Sequence, residues 1–190
     1  ASMKMLKLFF FLLLQASICL AATDAGTVPA DSIYQVKSSW VDQTGKKIEL
    51  ASLSGKPVVI SMIYLSCTFS CPTTVQHMKE LQKLLPESLK HEVQFVLVSF
   101  DGEHDTPAVM RKYAEKHQLA FPQWRFITSK NEADVRELAS LIDFKYKKIG
   151  DGDFEHSFGI IALDASGRVL GSTIGATMKE QDLVPLFKKN

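Results

Sequence analysis

The 190-residue chain has few cysteines and no excess of charge of either sign. Lysine and arginine together number 22, against 21 aspartate and glutamate residues, and the basic residues are scattered along the chain. A protein that neutralises a run of phosphates needs a basic stripe, and this sequence has none. Internal repeats and low-complexity tracts are also lacking, and the length is typical of one domain. These features argue against a nucleic-acid partner and favour a single-domain protein.

The N-terminal 22 residues differ in composition from the rest of the chain. Lys4 and Lys7 precede an apolar run at residues 8–14, and the small residues Ala21 and Ala22 follow. This is the layout of a secretory signal peptide, with cleavage expected after one of the two alanines. An uncleaved membrane anchor is the alternative, although the segment is shorter than the roughly 20 apolar residues that span a bilayer.

The cysteine count depends on that cleavage. A lipoprotein-type cut before Cys19 is disfavoured, because the bulky Ile18 would lie beside the scissile bond. Cleavage after residue 21 or 22 removes Cys19 and leaves Cys67 and Cys71 in a compartment where disulfides persist. The relation between these two thiols therefore becomes the central question.

We divide the chain into three parts. Residues 1–22 are the predicted signal peptide or anchor, and residues 1–2 before Met3 resemble a cloning scar. Residues 23–32 are small, polar and without hydrophobic periodicity, so they are interpreted as a linker. Residues 33–190 are the predicted folded domain.

Within the domain, hydrophobic patterns predict strands that alternate with helices. Nearly continuous apolar runs predict buried strands, and apolar residues at helical spacing predict the helices that follow them. Gly45, in the turn of the first hairpin, is expected to have a positive φ, and Thr106 is a candidate N-cap. Pro185 suggests that the last helix is interrupted. The predicted strands are 34–41 and 46–50 (the N-terminal hairpin), 58–64, 93–100, 125–128, 158–163 and 169–174, and the predicted helices are 72–85, 107–117, 132–142 and 179–188.

Cys67 and Cys71 lie between the end of a predicted buried strand and a helix that begins near Pro72. Loops in that position carry the functional residues of open α/β sheets. Free N–H groups at the helix N-terminus are expected to lower the pKa of Cys71. Cβ atoms four residues apart on a turn lie about 5–6 Å apart, which suits either a shared metal ion or a disulfide. A buried structural thiol pair, or a permanent disulfide, is the alternative.

Three segments together resemble the Sco/SenC family of copper-binding proteins. They are the C-x-x-x-C-P loop at residues 67–72, the segment Val-Ser-Phe-Asp-Gly-Glu-His-Asp-Thr-Pro at residues 98–107, and His156 followed by the turn at residues 164–167. They occur in the family's order, and the similarity extends from about residue 48 to the C-terminus. The loop departs from the common family form at Thr68, where a proline is frequent, and at Phe69 and Ser70.

The resemblance implies an α/β, thioredoxin-like fold with a central mixed β-sheet flanked by helices. It also implies that Cys67, Cys71 and His156 bind copper, and that Asp101 lies near the copper site as an auxiliary residue. Thiolate sulfur suits Cu(I) and imidazole accepts Cu(I) or Cu(II), so the donor set is consistent with both states. Zinc is an alternative by ligand type, but a structural zinc site usually has four protein ligands. Asp105 is interpreted as a helix-start residue, and the other four histidines as surface residues.

The function implied by the resemblance is that of a copper chaperone in the bacterial periplasm or cell envelope. Its partner would be subunit II of a cytochrome c oxidase, whose CuA centre receives the copper, and other envelope copper chaperones are further candidate partners. The alternative is a thiol-disulfide oxidoreductase, with Cys67 and Cys71 as its redox pair, that keeps the acceptor's cysteines reduced. We expect a monomer, in contact with the membrane only through an uncleaved N-terminal segment.

Overall fold

A computed structural model describes residues 28–150, 152–174 and 179–188. The predicted signal peptide, with both of its proposed cleavage positions, lies outside these residues. In the part of the chain that is described, no helix has the length and apolar character needed to cross a bilayer. Ser32, at the end of the predicted linker, is buried, and its hydroxyl donates a hydrogen bond to the carbonyl of Ser166.

The part of the chain that the structure describes contains nine strands, which are β1 (Trp40–Asp42), β2 (Lys47–Ile48), β3 (Val58–Ile63), β4 (Gln94–Ser99), β5 (Trp124–Thr128), β6 (Tyr146–Gly150), β7 (Asp153–His156), β8 (Ile161–Leu163) and β9 (Val169–Ser172). Seven of them form one mixed sheet in the order β2-β1-β5-β4-β3-β8-β9. The three central strands β3, β4 and β5 are parallel, and antiparallel strands flank them on both sides. Among the described residues, β6 and β7 pair only with each other, in a separate antiparallel hairpin.

A helix follows each of the parallel strands, and most of the helices pack an apolar side into the core. The helices are α1 (Ser70–Leu84), α2 (Glu87–Lys90), α3 (Pro107–Lys116), α4 (Glu132–Leu141) and α5 (Glu180–Leu183), with 3-10 turns at Ile33–Gln35, Leu50–Leu53 and Val184–Lys188. Thr106 accepts a hydrogen bond from the backbone of Val109 and so caps α3 as predicted. The α/β class and the mixed sheet flanked by helices are confirmed.

Strand β3 anchors the loop that carries the thiols. All six of its residues are buried, and it lies between β4 and β8 in the middle of the sheet. A fully buried aliphatic side chain contributes about 1.5–3 kcal/mol, so the position of this strand is fixed strongly. The polar member of the strand, Ser61, donates a hydrogen bond of 2.7 Å to the carbonyl of Gly159. The strand end at Ile63 is therefore a rigid base for the cysteine loop.

Several predicted elements differ from the structure. The N-terminal hairpin exists and Gly45 has φ +88°, but its first strand is only Trp40–Asp42, because the chain forms a 3-10 turn at Ile33–Gln35. The last helix is divided into α5 and a 3-10 turn, as Pro185 suggested. The β6–β7 hairpin was not predicted, because polar and exposed residues interrupt its hydrophobic pattern.

Candidate metal centre

The cysteine loop places its two thiols in different environments. Cys67 lies in the loop before α1 and is partly exposed, whereas Cys71 lies in the first turn of the helix and is fully buried. The backbone N–H of Cys71 points at the sulfur of Cys67, 3.4 Å away. The sulfur of Cys71 accepts a hydrogen bond of 3.4 Å from the backbone of Tyr64, at the end of β3. One thiol is thus partly exposed, and the other is enclosed by the core.

These environments move the two thiol pKa values in opposite directions. Partial burial by itself would raise the pKa of Cys67, but hydrogen bonds from the Ser70 hydroxyl and from the N–H groups of Cys71 and Phe69 outweigh it and lower the pKa to about 6. Burial raises the pKa of Cys71 far above its usual range, and the charge of Cys67 adds to the effect. The expectation that the helix N-terminus would activate Cys71 is wrong, because the free N–H groups serve Cys67 instead.

At neutral pH, Cys67 is therefore expected to react with iodoacetamide much faster than Cys71. The reactive species is the thiolate, so the rate at Cys67 should rise with pH and reach half its plateau near pH 6. Peptide mass mapping of the reduced protein after short exposures measures both rates. The variant Cys71→Ser should retain the fast reaction and Cys67→Ser should lose it; equal rates at the two positions would contradict the assignment.

His156, the last residue of β7, brings a nitrogen ligand to the thiols. Its Nε2 lies 3.9 Å from the sulfur of Cys71, and candidate ligand atoms of Cys67, Cys71 and His156 all lie within 4.8 Å of one another. The Nδ1 atom lies 2.6 Å from the carbonyl oxygen of Ser157. A carbonyl only accepts hydrogen bonds, so Nδ1 carries the hydrogen and Nε2 of the neutral ring presents its lone pair to the thiols.

Aromatic rings hold the imidazole in this orientation. Tyr64 meets it edge-on with ring centroids 5.7 Å apart, Phe100 lies at 5.4 Å, and Phe144 stacks on it at 6.0 Å. The Tyr64 hydroxyl also hydrogen-bonds Asp153 at 2.9 Å, which ties the end of β3 to the hairpin. The three candidate ligands are therefore positioned by packing before any ion arrives, which reduces the cost of ordering them on binding.

Asp101 lies outside this group of ligand atoms. Its buried carboxylate is hydrogen-bonded to Nδ1 of His104, with both oxygens 2.9 Å from the nitrogen, and this contact raises the pKa of the exposed histidine. The structure therefore pairs the buried Asp101, two residues after β4, with the exposed His104, and its auxiliary role at the metal site stays a prediction.

Asp105 is the carboxylate that contacts the cysteine loop. Its Oδ2 accepts hydrogen bonds from the backbone N–H of Leu65 at 3.0 Å and from the hydroxyl of Ser99 at 2.6 Å. Burial raises its pKa, although these two bonds partly offset the effect. The sequence pattern indicated only a helix-start role for this residue, because the partner of the contact with Leu65 lies 40 residues away in the chain.

We expect Asp105→Ala to destabilise the reduced protein by about 2–4 kcal/mol, because two buried donors lose their acceptor. Asp105→Asn keeps an acceptor oxygen, so it should destabilise the reduced protein much less than Asp105→Ala does. The raised pKa means that the contribution of Asp105 to stability falls as the pH rises from its unfolded pKa through its folded one, so the stability of wild type relative to Asp105→Asn should show that decline. Urea unfolding between pH 3 and 8 measures both effects; equal losses for the two substitutions would contradict this account.

Comparison with known proteins supports the resemblance seen in the sequence. The family model described as SCO1/SenC matches residues 30–186. A curated relative, the SCO1 protein homolog of Bacillus subtilis (strain 168), is 30% identical over 141 residues, which is 72% of each chain.

Solved structures of the family share the thioredoxin-like fold. The copper-bound structure of ScoI from Bradyrhizobium japonicum has a TM-score of 0.64 and 25% identity, and the match covers 80% of this chain and 95% of ScoI. A structure of BsSco, described as a member of the Sco family of cytochrome c oxidase assembly proteins with a disulfide switch, has a TM-score of 0.64 and 27% identity, over 78% of this chain and 87% of that one. With a family model that covers most of the described residues, this chain belongs to the SCO1/SenC family.

Proposed function

We propose that the protein is a copper chaperone that binds Cu(I) and Cu(II) through Cys67, Cys71 and His156. The observation that carries the proposal is the preformed group of two sulfurs and one imidazole nitrogen within 4.8 Å. Thiolates favour Cu(I), and adding an imidazole allows Cu(II) to be held as well. The copper-bound structure of ScoI from Bradyrhizobium japonicum supports the choice of metal.

The cargo is proposed to serve assembly of the CuA centre of a cytochrome c oxidase, with subunit II as acceptor. The description of BsSco as a member of a family of oxidase assembly proteins supports this role. We further propose that the protein acts as a monomer in the bacterial periplasm or cell envelope, where the predicted N-terminal signal would direct it. Other envelope copper chaperones are proposed as the source of its copper.

The unequal exposure of the two thiols sets the order in which an acceptor replaces the copper ligands. An incoming acceptor thiolate reaches the Cys67 side first, because Cys71 is fully buried. Cys67 is therefore the first sulfur to be replaced, and Cys71 the last to release the ion. Copper passes from ligand to ligand and is not released to solvent.

Anaerobic copper titration of the reduced protein tests this function. Cu(I) is measured by competition with a chelator and Cu(II) by its sulfur-to-copper absorption, and one equivalent of either is expected to bind. Cys67→Ser and Cys71→Ser should each lose the tight site, and the loaded wild type should transfer copper to a reduced soluble CuA domain. Absence of specific copper binding would exclude the chaperone function.

A thiol-disulfide oxidoreductase is the second candidate, and the split in thiol pKa values favours it. The thiolate of Cys67 would attack a target disulfide, forming a mixed disulfide and releasing one target thiolate. Cys71, after losing its proton, would then attack the sulfur of Cys67 and release the second target thiolate. The target gains two electrons, and the protein becomes a disulfide. Reduction of a model protein disulfide that is unaffected by His156→Ala, without copper binding, would support this candidate.

A further inference from the structure

The hydroxyl of Ser70 lies between two of the candidate ligands. Its Oγ is 3.0 Å from Nε2 of His156 and 3.4 Å from the sulfur of Cys67. Ser70 is the first residue of α1 and lies three residues after Cys67. The same hydroxyl therefore contacts both the loop and the hairpin, at the place where a shared ion would be held.

The direction of these hydrogen bonds follows from the imidazole tautomer. Nδ1 donates to the carbonyl of Ser157, so Nε2 of the neutral ring is an acceptor, and the Ser70 hydroxyl must be the donor. A hydroxyl has one hydrogen, which goes to either Nε2 or the sulfur of Cys67 at any moment. Whenever the hydroxyl bonds Nε2 in the metal-free protein, Ser70 occupies the lone pair that a metal ion would use.

We propose that Ser70 is a positioning residue that exchanges its hydrogen-bond acceptor when metal binds. Before binding, its hydroxyl holds the ring of His156 beside the thiols. A metal ion on Nε2 takes the only lone pair of that nitrogen, so the hydroxyl must leave it. The coordinated sulfur of Cys67 keeps further lone pairs and accepts the released hydrogen. This inference rests on the proposed copper function and adds a residue to that site.

The exchange has a spectroscopic signature that a purely structural role would not produce. Removing the hydroxyl takes a hydrogen bond from the coordinated thiolate, which makes that sulfur a stronger electron donor. The sulfur-to-copper absorption should therefore move to longer wavelength. A residue that only supported the fold would, when removed, leave the band in place.

The test compares Ser70→Ala with wild type, with Ser70→Thr as the conservative variant and Thr68→Ala as a matched control in the same loop. We expect the sulfur-to-copper absorption band of Cu(II)-loaded Ser70→Ala to lie at longer wavelength than that of wild type. Ser70→Thr, which keeps a hydroxyl, should restore the wild-type band. Thr68→Ala should also match wild type, because the Thr68 side chain is exposed.

A second measurement needs no metal. In the ¹⁵N spectrum of the metal-free imidazole, Nε2 of His156 should shift in Ser70→Ala, while Nδ1 keeps its hydrogen. An unchanged Nε2 resonance, or an absorption band that does not move in Ser70→Ala, would overturn the exchange while leaving the chaperone function intact. Failure of wild type to bind copper would overturn the proposed function itself, and with it the exchange.

Discussion

Replacing His156 with alanine is expected to lower the Cu(II) affinity of the reduced protein by more than about 100-fold. Loss of a residue that merely orients a metal ligand costs about 10- to 100-fold in affinity, and His156 is proposed as a ligand itself. Two sulfurs would remain, and these are sufficient for Cu(I) but poorly suited to Cu(II). The loss of Cu(I) affinity should therefore be smaller than the loss of Cu(II) affinity.

The matched control for this prediction is His91→Ala. His91 is exposed and immediately follows α2, away from the cysteine loop, so its removal should leave both copper affinities unchanged. Copper titration of both variants and wild type distinguishes loss of a specific ligand from loss of any histidine that binds copper. A Cu(II) affinity that falls equally in the two variants would show that His156 is not a ligand.

Oxidation of Cys67 and Cys71 to a disulfide is expected to abolish copper binding. Copper requires deprotonated thiolates, and a disulfide removes two of the three donors. The two sulfurs are already close, since they belong to a group of atoms within 4.8 Å of one another, so oxidation needs only a small local adjustment. Loading the reduced protein should in turn protect the thiols from oxidants.

The measurement compares the oxidised protein, after mass spectrometry has verified the disulfide, with the same sample after reduction and removal of the reductant. Recovery of one equivalent of copper on reduction shows that oxidation has caused no other damage. Copper held as tightly by the verified disulfide as by the dithiol would mean that the two sulfurs are not the ligands.

The strands of the main sheet and the helices around it could be predicted, because apolar residues recur at the positions that are buried. Strand β3, for example, is a continuous apolar run bounded by Pro57 and the cysteine loop, and Thr106 with Pro107 marks the start of α3. The β6–β7 hairpin has no such pattern, since β6 reads Tyr-Lys-Lys-Ile-Gly and is largely exposed. The hairpin forms because β6 pairs with β7, and contacts of Tyr64 and Phe100 with His156 attach it to the domain. Sequence spacing encodes neither of these interactions.

The residues of the candidate site could be predicted from the sequence, but the pKa values of its two thiols could not. The three proposed ligands were identified from motifs that resemble the family, and the structure brings them together. The expectation of a lowered pKa for Cys71 was wrong, because helix position was considered without the direction of each side chain. Cys71 points into the core, whereas the sulfur of Cys67 lies beside the backbone N–H groups. Ser70 was noted only as a departure from the family pattern, although it contacts two of the ligands.

The separation of the β6–β7 hairpin from the seven-stranded sheet has a consequence for hydrogen exchange. Hairpins attached mainly by side-chain contacts open locally at a lower free energy than the whole domain, so their amides exchange early. An ion held jointly by the cysteine loop and by His156 would link two segments 85 residues apart in the chain. Local opening of the hairpin would then require the ion to lose its His156 ligand, so slower amide exchange in the hairpin would indicate that copper is bound. Release of copper to an acceptor and local opening of the hairpin would then be the same event.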